Sequence, residues 1–316
     1  MQMKLSAILL SLFVVMMWGI NPAISKLGLQ EIPPFAFLTI RYIIVSLLFL
    51  PFARPTKHEL WQMFLVAMTS SVITNLLSYI AYLELTPSAS SLLSQTEAPI
   101  SVLMACLWAK ERVSLKQGLA ILLSFIGVIV ILGIPKMSLT GVVLILLSRF
   151  FWGACQIVYK DTKRVSTATF LAYSYLFAVP FTAAGSWIIE GYDYRNLATV
   201  NWTIAGWSLA FEVVLLSLAM LLWQRLIAVN GVNKIAPFCT LRIVFGIAAG
   251  VLIFDDPLNW QIILGSILVT LGVFLTMKDF SIILRARTKS VIVYRNAHRI
   301  LMERRFKRIS LRKRLK

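Results

Sequence analysis

Five ionisable side chains fall inside long apolar stretches of this sequence, and they are the residues best placed to do chemistry. They are Arg41, Glu97, Arg149, Glu212 and Arg242. A charged group at the centre of a membrane helix costs roughly 2.5–3.5 kcal/mol on insertion scales, so none of the five should face lipid. Two interpretations are open: the five line a polar cavity, or they pair with one another and hold helices together.

The signs of these charges point to an anionic ligand. Three arginines against two glutamates leave one positive charge if both acids are ionised. A ligand carboxylate would balance that charge, because a guanidinium group binds a carboxylate through two parallel hydrogen bonds. A buried glutamate can also be neutral, and in that case Glu97 or Glu212 would be the proton-carrying group of an antiporter.

The segment Trp18-Gly19-Ile20-Asn21-Pro22 is expected to interrupt the first apolar stretch. Proline removes a backbone donor and kinks a helix, so the carbonyl it frees needs another partner. Transporters present backbone groups to substrate at such breaks, although a simple packing kink would give the same sequence. Tyr79 and Trp152 join Trp18 as aromatic residues placed to form the wall of a cavity. Gly246-x-x-x-Gly250 indicates close helix packing rather than chemistry.

The sequence offers little for catalysis. Its two histidines, His58 and His298, lie in a predicted loop and in the C-terminal tail, so neither can serve a site inside a membrane. We find no His-Glu-x-x-His motif, no nucleophile elbow and no phosphate-binding glycine loop. The three cysteines, Cys106, Cys155 and Cys239, lack metal-ligand spacing. We therefore predict no catalytic residue, no metal and no cofactor, and transport would have to run on a gradient.

Composition places the chain in a membrane. Hydrophobic residues make up 59% of 316 residues and charged residues 14%, against roughly 45–50% and about 25% in soluble domains. Such a chain has too few polar side chains to cover its apolar surface, so lipid must cover it. The apolar run that begins at Leu5 is followed by no small-x-small cleavage pattern, and we interpret it as a retained first span.

Ten apolar segments of spanning length can be drawn, at about 17–25 residues per helix. Their approximate bounds are Leu5–Lys26, Pro34–Pro51, Trp61–Leu83, Ser88–Ala109, Gln117–Ile134, Leu139–Tyr159, Ala168–Ile189, Thr203–Leu226, Val232–Phe254 and Trp260–Met277. Short loops rich in proline and glycine join them. The pattern predicts an all-α polytopic membrane protein with ten transmembrane helices.

The first half of the chain has a weak copy in the second half. A shift of 145 positions brings out matching pairs: Leu119 and Leu264, Leu123 and Leu268, Gly127 and Gly272, Glu111 and Asp256, Glu97 and Arg242. Because five spans are an odd number, the second copy crosses the membrane in the opposite direction. We predict two inverted five-helix repeats, residues 1–136 and 137–277, with Glu97 and Arg242 facing one another across a midplane site.

Basic residues set the predicted orientation. With the N-terminus inside, the inner loops hold 11 Lys and Arg and the outer loops hold 3, so both termini should be cytoplasmic. The tail, residues 278–316, contains 14 Lys and Arg and two acidic residues. Apolar residues are interleaved there, and the tail either lies on anionic lipid headgroups or is a disordered extension. It includes no folded nucleic-acid module, and we expect no nucleic-acid partner.

Three stretches of the sequence are distinctive when taken together: WGINPAISKLGLQEIPPFAFLTIRY, LLSQTEAPISVLMACLWAKERVSLKQGLAILLSFIGVIVIL and APFCTLRIVFGIAAGVLIFDDPLNWQIILGSILVTLGVFL. With them the chain resembles the EamA branch of the drug/metabolite transporter superfamily over about residues 6–277. The resemblance implies an inner-membrane carrier with ten helices, two inverted repeats and a central cavity. It also implies export of amino acids, their derivatives or related small metabolites.

The match to the family pattern is incomplete. The positions that fit it are Trp18, Asn21, Lys26, Arg41 and Glu111. Glu97 stands where similar proteins often have an uncharged glutamine, so the substrate or the coupling ion should differ. Asp256 belongs to Asp255-Asp256-Pro257, where an acid followed by arginine is more usual. The basic tail is not part of the pattern.

We therefore expect a secondary transporter whose two halves rock around a midplane site and expose it to each side in turn. The predicted substrate-binding residues are Trp18, Asn21, Arg41, Tyr79, Glu97, Trp152, Glu212 and Arg242. The predicted gate or structural charges are Lys26, Glu111 and Asp256. The expected partners are the lipid bilayer, a small-molecule metabolite and, for the tail, anionic headgroups.

Two alternatives are compatible with the same residues. One is uptake or exchange of a nucleotide-like or methyl-donor metabolite, because the direction of transport is thermodynamic and is not encoded in residue types. The other belongs to a different class, a membrane scaffold whose basic tail recruits a partner.

Overall fold

The protein is described here by a computed structural model that covers residues 4–109, 115–134, 137–161 and 165–275. Glu111 and the tail 278–316 lie outside these residues. The described part of the chain is helical throughout and contains no β-strand. The helices are α1 (Leu5–Leu29), α2 (Pro34–Phe49), α3 (Lys57–Glu84), α4 (Pro87–Ser94), α5 (Glu97–Ala109), α6 (Leu115–Leu132), α7 (Leu139–Asp161), α8 (Thr167–Ile188), α9 (Trp202–Asn230), α10 (Arg242–Phe254) and α11 (Trp260–Leu275).

Seven stretches of the described chain are long and apolar enough to cross a membrane. They are α1, Pro34–Phe52, α3, Leu139–Gln156, α8, α9 and Pro237–Phe254. Gly118–Leu132 in α6 and Trp260–Leu275 in α11 are shorter apolar helices. The fold is therefore that of an all-α polytopic membrane protein, and the number of ten crossings stays a prediction.

Two of the predicted spans are interrupted at equivalent positions. The fourth divides into α4 and α5 at Gln95-Thr96, and the ninth contains a 3₁₀ turn, Ala236–Leu241, before α10. Glu97 and Arg242 therefore each begin a helix, and they are the pair that the 145-position shift relates. Helices α3 and α9 likewise each contain a π-helical stretch, at Ala67–Thr74 and Phe211–Leu215. These paired irregularities fit a chain built from two related halves.

The predicted interruption of the first span was wrong, because α1 runs without a break through Pro22. Proline removes only one backbone donor, and a helix in lipid stays intact where side chains take up the backbone groups that need partners. Pro22 leaves the carbonyl of Trp18, four residues earlier, without its N–H partner. The adjacent carbonyl, that of Gly19, accepts a hydrogen bond from the hydroxyl of Ser91 at 3.0 Å. The observed breaks lie in the fourth and ninth predicted spans instead.

The helices of one half pack mainly against those of the other. Helix α1 packs along α9 and α10, α7 packs along α3 and α5, and α2 packs along α8. Under the repeat, α1 corresponds to α7, α3 to α9 and α4–α5 to α10. The same set of contacts therefore occurs twice with the halves exchanged. A site at the interface of the halves is lined by α1, α2, α3, α5, α7, α9 and α10.

Small residues allow α4 and α10 to approach closely, as Gly246-x-x-x-Gly250 predicted. A Cβ atom on Gly246 would overlap the side chain of Ser91, and one on Gly250 would overlap the side chain of Ser88. Without a hydrophobic driving force between helices in lipid, such close backbone approach supplies much of the association energy.

We expect Gly246→Ala to lower the unfolding temperature of the detergent-solubilised protein, because the added methyl group has no space. The destabilisation should be about 1–3 kcal/mol, the usual cost of overpacking. Gly118→Ala is the matched control, because a Cβ atom at Gly118 meets nothing within 4 Å. Equal unfolding temperatures for the two variants would contradict the packing assigned to α4 and α10.

Candidate substrate site

The first of two charged clusters is centred on Glu212 in the π-helical stretch of α9. Its carboxylate lies 3.0 Å from Nη1 of Arg41 on α2. It also accepts hydrogen bonds from Asn21 at 2.7 Å and from the hydroxyl of Ser25, both on α1. Asn21 and Ser25 are four residues apart and therefore share one face of their helix. Glu212 is fully buried. Its Oε1 atom accepts both hydrogen bonds from α1, whereas its Oε2 atom faces Arg41 and has no hydrogen-bond partner in the described structure.

Aromatic side chains enclose the guanidinium group of Arg41. Nη1 of Arg41 donates to the hydroxyl of Tyr79 at 2.7 Å. The guanidinium carbon lies 5.9 Å from the ring centroid of Tyr42 and 5.6 Å from that of Tyr175, and these two rings stack at 4.6 Å. Cation–π contacts of this kind are worth more when water is excluded. The Arg41–Glu212 pair is thus a closed unit that links α2 to α9.

The second cluster is centred on Glu97, the first residue of α5. One carboxylate oxygen accepts a hydrogen bond from Nε1 of Trp152 at 2.6 Å. The other lies 4.0 Å from Nη1 of Arg149 and 3.9 Å from Nη1 of Arg242. The contact predicted between Glu97 and Arg242 is therefore present, and the structure adds Arg149 to it.

Both arginines of the second cluster are held in place by groups other than Glu97. Nη2 of Arg149 donates to the hydroxyls of Ser78 at 2.6 Å and Ser148 at 2.7 Å. Nη2 of Arg242 donates to the carbonyl of Ser94 at 3.1 Å, where α4 ends. The interruption between α4 and α5 thus supplies a free carbonyl that positions Arg242. Two fixed guanidinium groups face a single carboxylate.

The two clusters differ in charge and in exposure. Arg41 and Glu212 balance one another, whereas Arg149 and Arg242 outnumber Glu97 by one positive charge if all are ionised. The side chain of Glu97 is 31% exposed and that of Glu212 is 0% exposed. An added anion is therefore favoured at the second cluster and not at the first.

Tyr82 lies between the clusters. Its ring centroid is 5.6 Å from that of Tyr79, which bonds Arg41. Tyr82 is also within electrostatic range of Arg149 and Arg242. The clusters are therefore neighbours along α3, about one helical turn apart.

Carboxylates at one end of the bundle cap helices that belong to the other half. Asp256 accepts from the backbone N–H of Ser88 at 2.9 Å, at the start of α4. Glu190 accepts from Phe35 at 2.7 Å and Ala36 at 3.1 Å, at the start of α2. Free N–H groups and the positive end of the helix dipole favour acids at such positions.

Two further contacts lie at this end of the bundle, which we call the capped end. Glu31 accepts from the backbone N–H of Asn201 at 3.1 Å, just before α9. Lys26 donates to the carbonyl of Leu85 at 2.6 Å, between α3 and α4. Burial raises the pKa of Glu190 above its ordinary value, and its two backbone hydrogen bonds only partly offset that effect.

The predicted site residues are divided among these places. Asn21, Arg41, Tyr79 and Glu212 form the first cluster, and Glu97, Trp152 and Arg242 belong to the second. Trp18 contacts neither cluster in the described structure, and its ring packs edge-on against Trp223 at 4.9 Å. Lys26 and Asp256 lie at the capped end, and Glu111 lies outside the described residues. Arg41 and Glu212, both of them predicted substrate-binding residues, pair with one another.

Several residues of the clusters were missed as site residues. Arg149 was recognised as an intramembrane charge but not assigned to the site. Ser25 could have been found from its spacing of four to Asn21, and Tyr82 from its spacing of three to Tyr79. Ser78 and Ser148 carry no sequence signal, because serine is common in membrane helices and usually bonds its own backbone. No group of three or more potential metal ligands occurs among the described residues.

Comparisons with known proteins agree with this architecture. The family described as "EamA-like transporter family" matches residues 5–133 and 139–278, one match for each half. A solved crystal structure superposes with a TM-score of 0.58 at 14% identity, over 86% of this chain and 96% of that one. This similarity shows a shared fold.

Three curated relatives align over most of their length. A protein of Salmonella typhimurium named "Probable amino-acid metabolite efflux pump" is 24% identical, over 88% of this chain and 97% of its own. A protein of Escherichia coli with the same name is 26% identical, over 85% and 93%. An uncharacterized transporter of Bacillus subtilis is 26% identical, over 86% and 92%.

The Arg41–Glu212 pair should show strong coupling in a double-mutant cycle. We expect Arg41→Ala and Glu212→Ala each to destabilise the folded protein by about 3–5 kcal/mol, because each leaves a buried charge unpaired. The double variant should lose far less than the sum of the two. The free energy of unfolding is measured in detergent for the wild type, the two single variants and the double variant.

The exposed pair Arg195–Asp193, at 3.5 Å with side chains 92% and 54% exposed, is the matched control. Its coupling should be near zero, as for most surface ion pairs. Additive effects at Arg41 and Glu212 would show that they are not a pair.

Proposed function

The chain belongs to the EamA-like transporter family, and on this premise we propose that it exports amino acids or related small metabolites by alternating access. It is a multi-pass membrane transporter of the drug/metabolite transporter superfamily and not an enzyme. The efflux-pump names of the Salmonella and Escherichia relatives support export. We place it in the cell inner membrane with both termini cytoplasmic, as the distribution of basic residues predicts.

One observation carries the choice of substrate class. Two fixed guanidinium groups, those of Arg149 and Arg242, face the single, partly exposed carboxylate of Glu97. A substrate carboxylate placed between them would balance the charge and accept hydrogen bonds from both. We therefore propose that the second cluster binds the carboxylate of an amino acid or of a related acid.

The first cluster has a different role in this proposal. Asn21 and Ser25 donate hydrogen bonds to the carboxylate of Glu212, and Arg41 balances its charge, without a ligand. We propose that this cluster holds α1, α2 and α9 together beside the site. Trp152 orients Glu97, and Tyr79 and Tyr82 form the wall between the clusters.

The capped end supports the alternating-access part of the proposal. Asp256, Glu190 and Glu31 each contact a backbone N–H of the other half. Carboxylate–amide contacts at the ends of helices can be exchanged for water when the halves separate, since this end is aqueous. We propose that this is the outer end, closed in the described state, and that Asp256 acts as a gate residue.

Flux through proteoliposomes tests the substrate site. Arg242→Ala should reduce flux of carboxylate-bearing amino acids by tenfold or more, because one of the two carboxylate partners is lost. Arg225→Ala, at an exposed position of α9, is the control and should leave flux unchanged. Both variants should elute as folded protein in size-exclusion chromatography. Normal flux in folded Arg242→Ala would refute the site.

Hydrogen–deuterium exchange tests the gate. Asp256→Ala should speed amide exchange at the start of α4 by about tenfold or more, because the N–H of Ser88 loses a charged acceptor. The control is Asp193→Ala, since the side chain of Asp193 is exposed and, in the described structure, contacts Arg195 of its own loop through an ion pair and a backbone hydrogen bond. Unchanged exchange over residues 87–91 in Asp256→Ala would count against this role.

A further inference from the structure

Glu97 makes one short contact with its partners and two long ones. Its contact with Trp152 has the length of a strong hydrogen bond, 2.6 Å. Its contacts with Arg149 and Arg242, at 4.0 and 3.9 Å, are much longer than the roughly 2.7–2.9 Å of a charge-assisted hydrogen bond. The buried pair Arg41–Glu212, at 3.0 Å, comes close to that length. Glu97 therefore offsets the charge of the two arginines without occupying their donors.

The arginines keep donors directed at this space. Each is fixed through Nη2, Arg149 by two serine hydroxyls and Arg242 by the carbonyl of Ser94. Their Nη1 atoms reach only Glu97 among the described contacts of the cluster. Nε of Arg149 is buried and has no hydrogen-bond partner in the described structure. The pair is thus preorganised for a second carboxylate at closer range.

Glu97 is also free to move in a way that Glu212 is not. Its side chain is 31% exposed. It begins α5 directly after the interruption at Gln95-Thr96, so it sits at the positive end of a helix dipole. A carboxylate there can leave the arginines and still have favourable electrostatics from α5.

We propose that Glu97 is an internal competitor for the carboxylate site. In the empty transporter it lies between Arg149 and Arg242, and a substrate carboxylate must displace it to bind. This inference rests on the proposed function and makes Glu97 a residue that determines specificity. A ligand without a carboxylate cannot displace Glu97, because only a carboxylate compensates the two arginines for its loss.

Ligand-dependent thermal unfolding of the purified full-length protein tests the competition. The probes are acetate and N-acetylphenylalanine, each compared with its neutral amide at equal ionic strength. We expect Glu97→Gln to be stabilised by the acids at about tenfold lower concentration than wild type, because a charge about 4 Å from both guanidinium groups has been removed. The amides should have no effect on either protein.

Two further variants separate charge from structure. Glu97→Asp keeps the charge and should bind the acids much as wild type does. Trp152→Phe removes the hydrogen bond that holds Glu97, so the acids should bind more tightly although the charge is kept. Trp152→Phe therefore tests the inference even if Glu97→Gln does not fold.

The outcomes are decisive in each direction. The inference is overturned if Glu97→Gln binds the acids as tightly as wild type, more weakly or not at all. An arginine pair without a compensating carboxylate should bind acids best. If Glu97→Gln fails to fold, unchanged or weaker acid binding by Trp152→Phe overturns it instead. Flux is measured separately. If Glu97→Gln binds acids more tightly but the wild type transports no amino acid, the proposed function is rejected and the competition is kept. If the wild type transports amino acids but Glu97→Gln binds acids as wild type does, the competition is rejected and the proposed function is kept.

Discussion

An ionised side chain inside a bilayer needs a partner, and among the described residues these partners come from the other half of the chain. Arg41 precedes residue 136 and pairs with Glu212, which follows it. Glu97 of the first half faces Arg149 and Arg242 of the second. Removing one member of such a pair leaves a charge that neither lipid nor protein compensates. The charges that are costly to insert therefore also keep the two halves in register.

Two acids with the same insertion cost end in different surroundings. The carboxylate of Glu212 receives hydrogen bonds from α1 and an ion pair from α2, and none of its surface is exposed to a ligand. Glu97 begins a helix beside a break, has one firm hydrogen bond and is partly exposed. The difference arises from the backbone, because a continuous helix surrounds a side chain with neighbours whereas a helix start leaves one side open. For that reason we propose a structural role for the first cluster and substrate binding for the second.

The sequence predicts which residues carry the charges better than it predicts how they pair. Apolar length, the positions of the five charges and the 145-position shift together anticipated that Glu97 and Arg242 meet. They gave no partner for Arg41, since that partner depends on how far α2 and α9 are rotated about their axes, and an even apolar pattern does not encode that rotation. The break expected at Pro22 failed for a related reason. The local preference of proline for a kink is overridden by the packing of α1 against other helices, which also brings Ser91 of α4 to the carbonyl of Gly19 in the same turn.

If the halves move in the alternating-access cycle proposed above, the contacts between them restrict that motion. At the capped end, Asp256, Glu190 and Glu31 bond backbone amides, and water can replace each of these bonds when the end opens. The Arg41–Glu212 pair has no such replacement, because it is buried among tyrosine rings and helix backbone. A motion that separated it would incur the full cost of two unpaired buried charges, about 3–5 kcal/mol for either partner left alone. In the proposed cycle the axis of rotation between the halves would therefore pass close to Arg41 and Glu212, and the distances would change around Glu97, where the arginines are held more loosely.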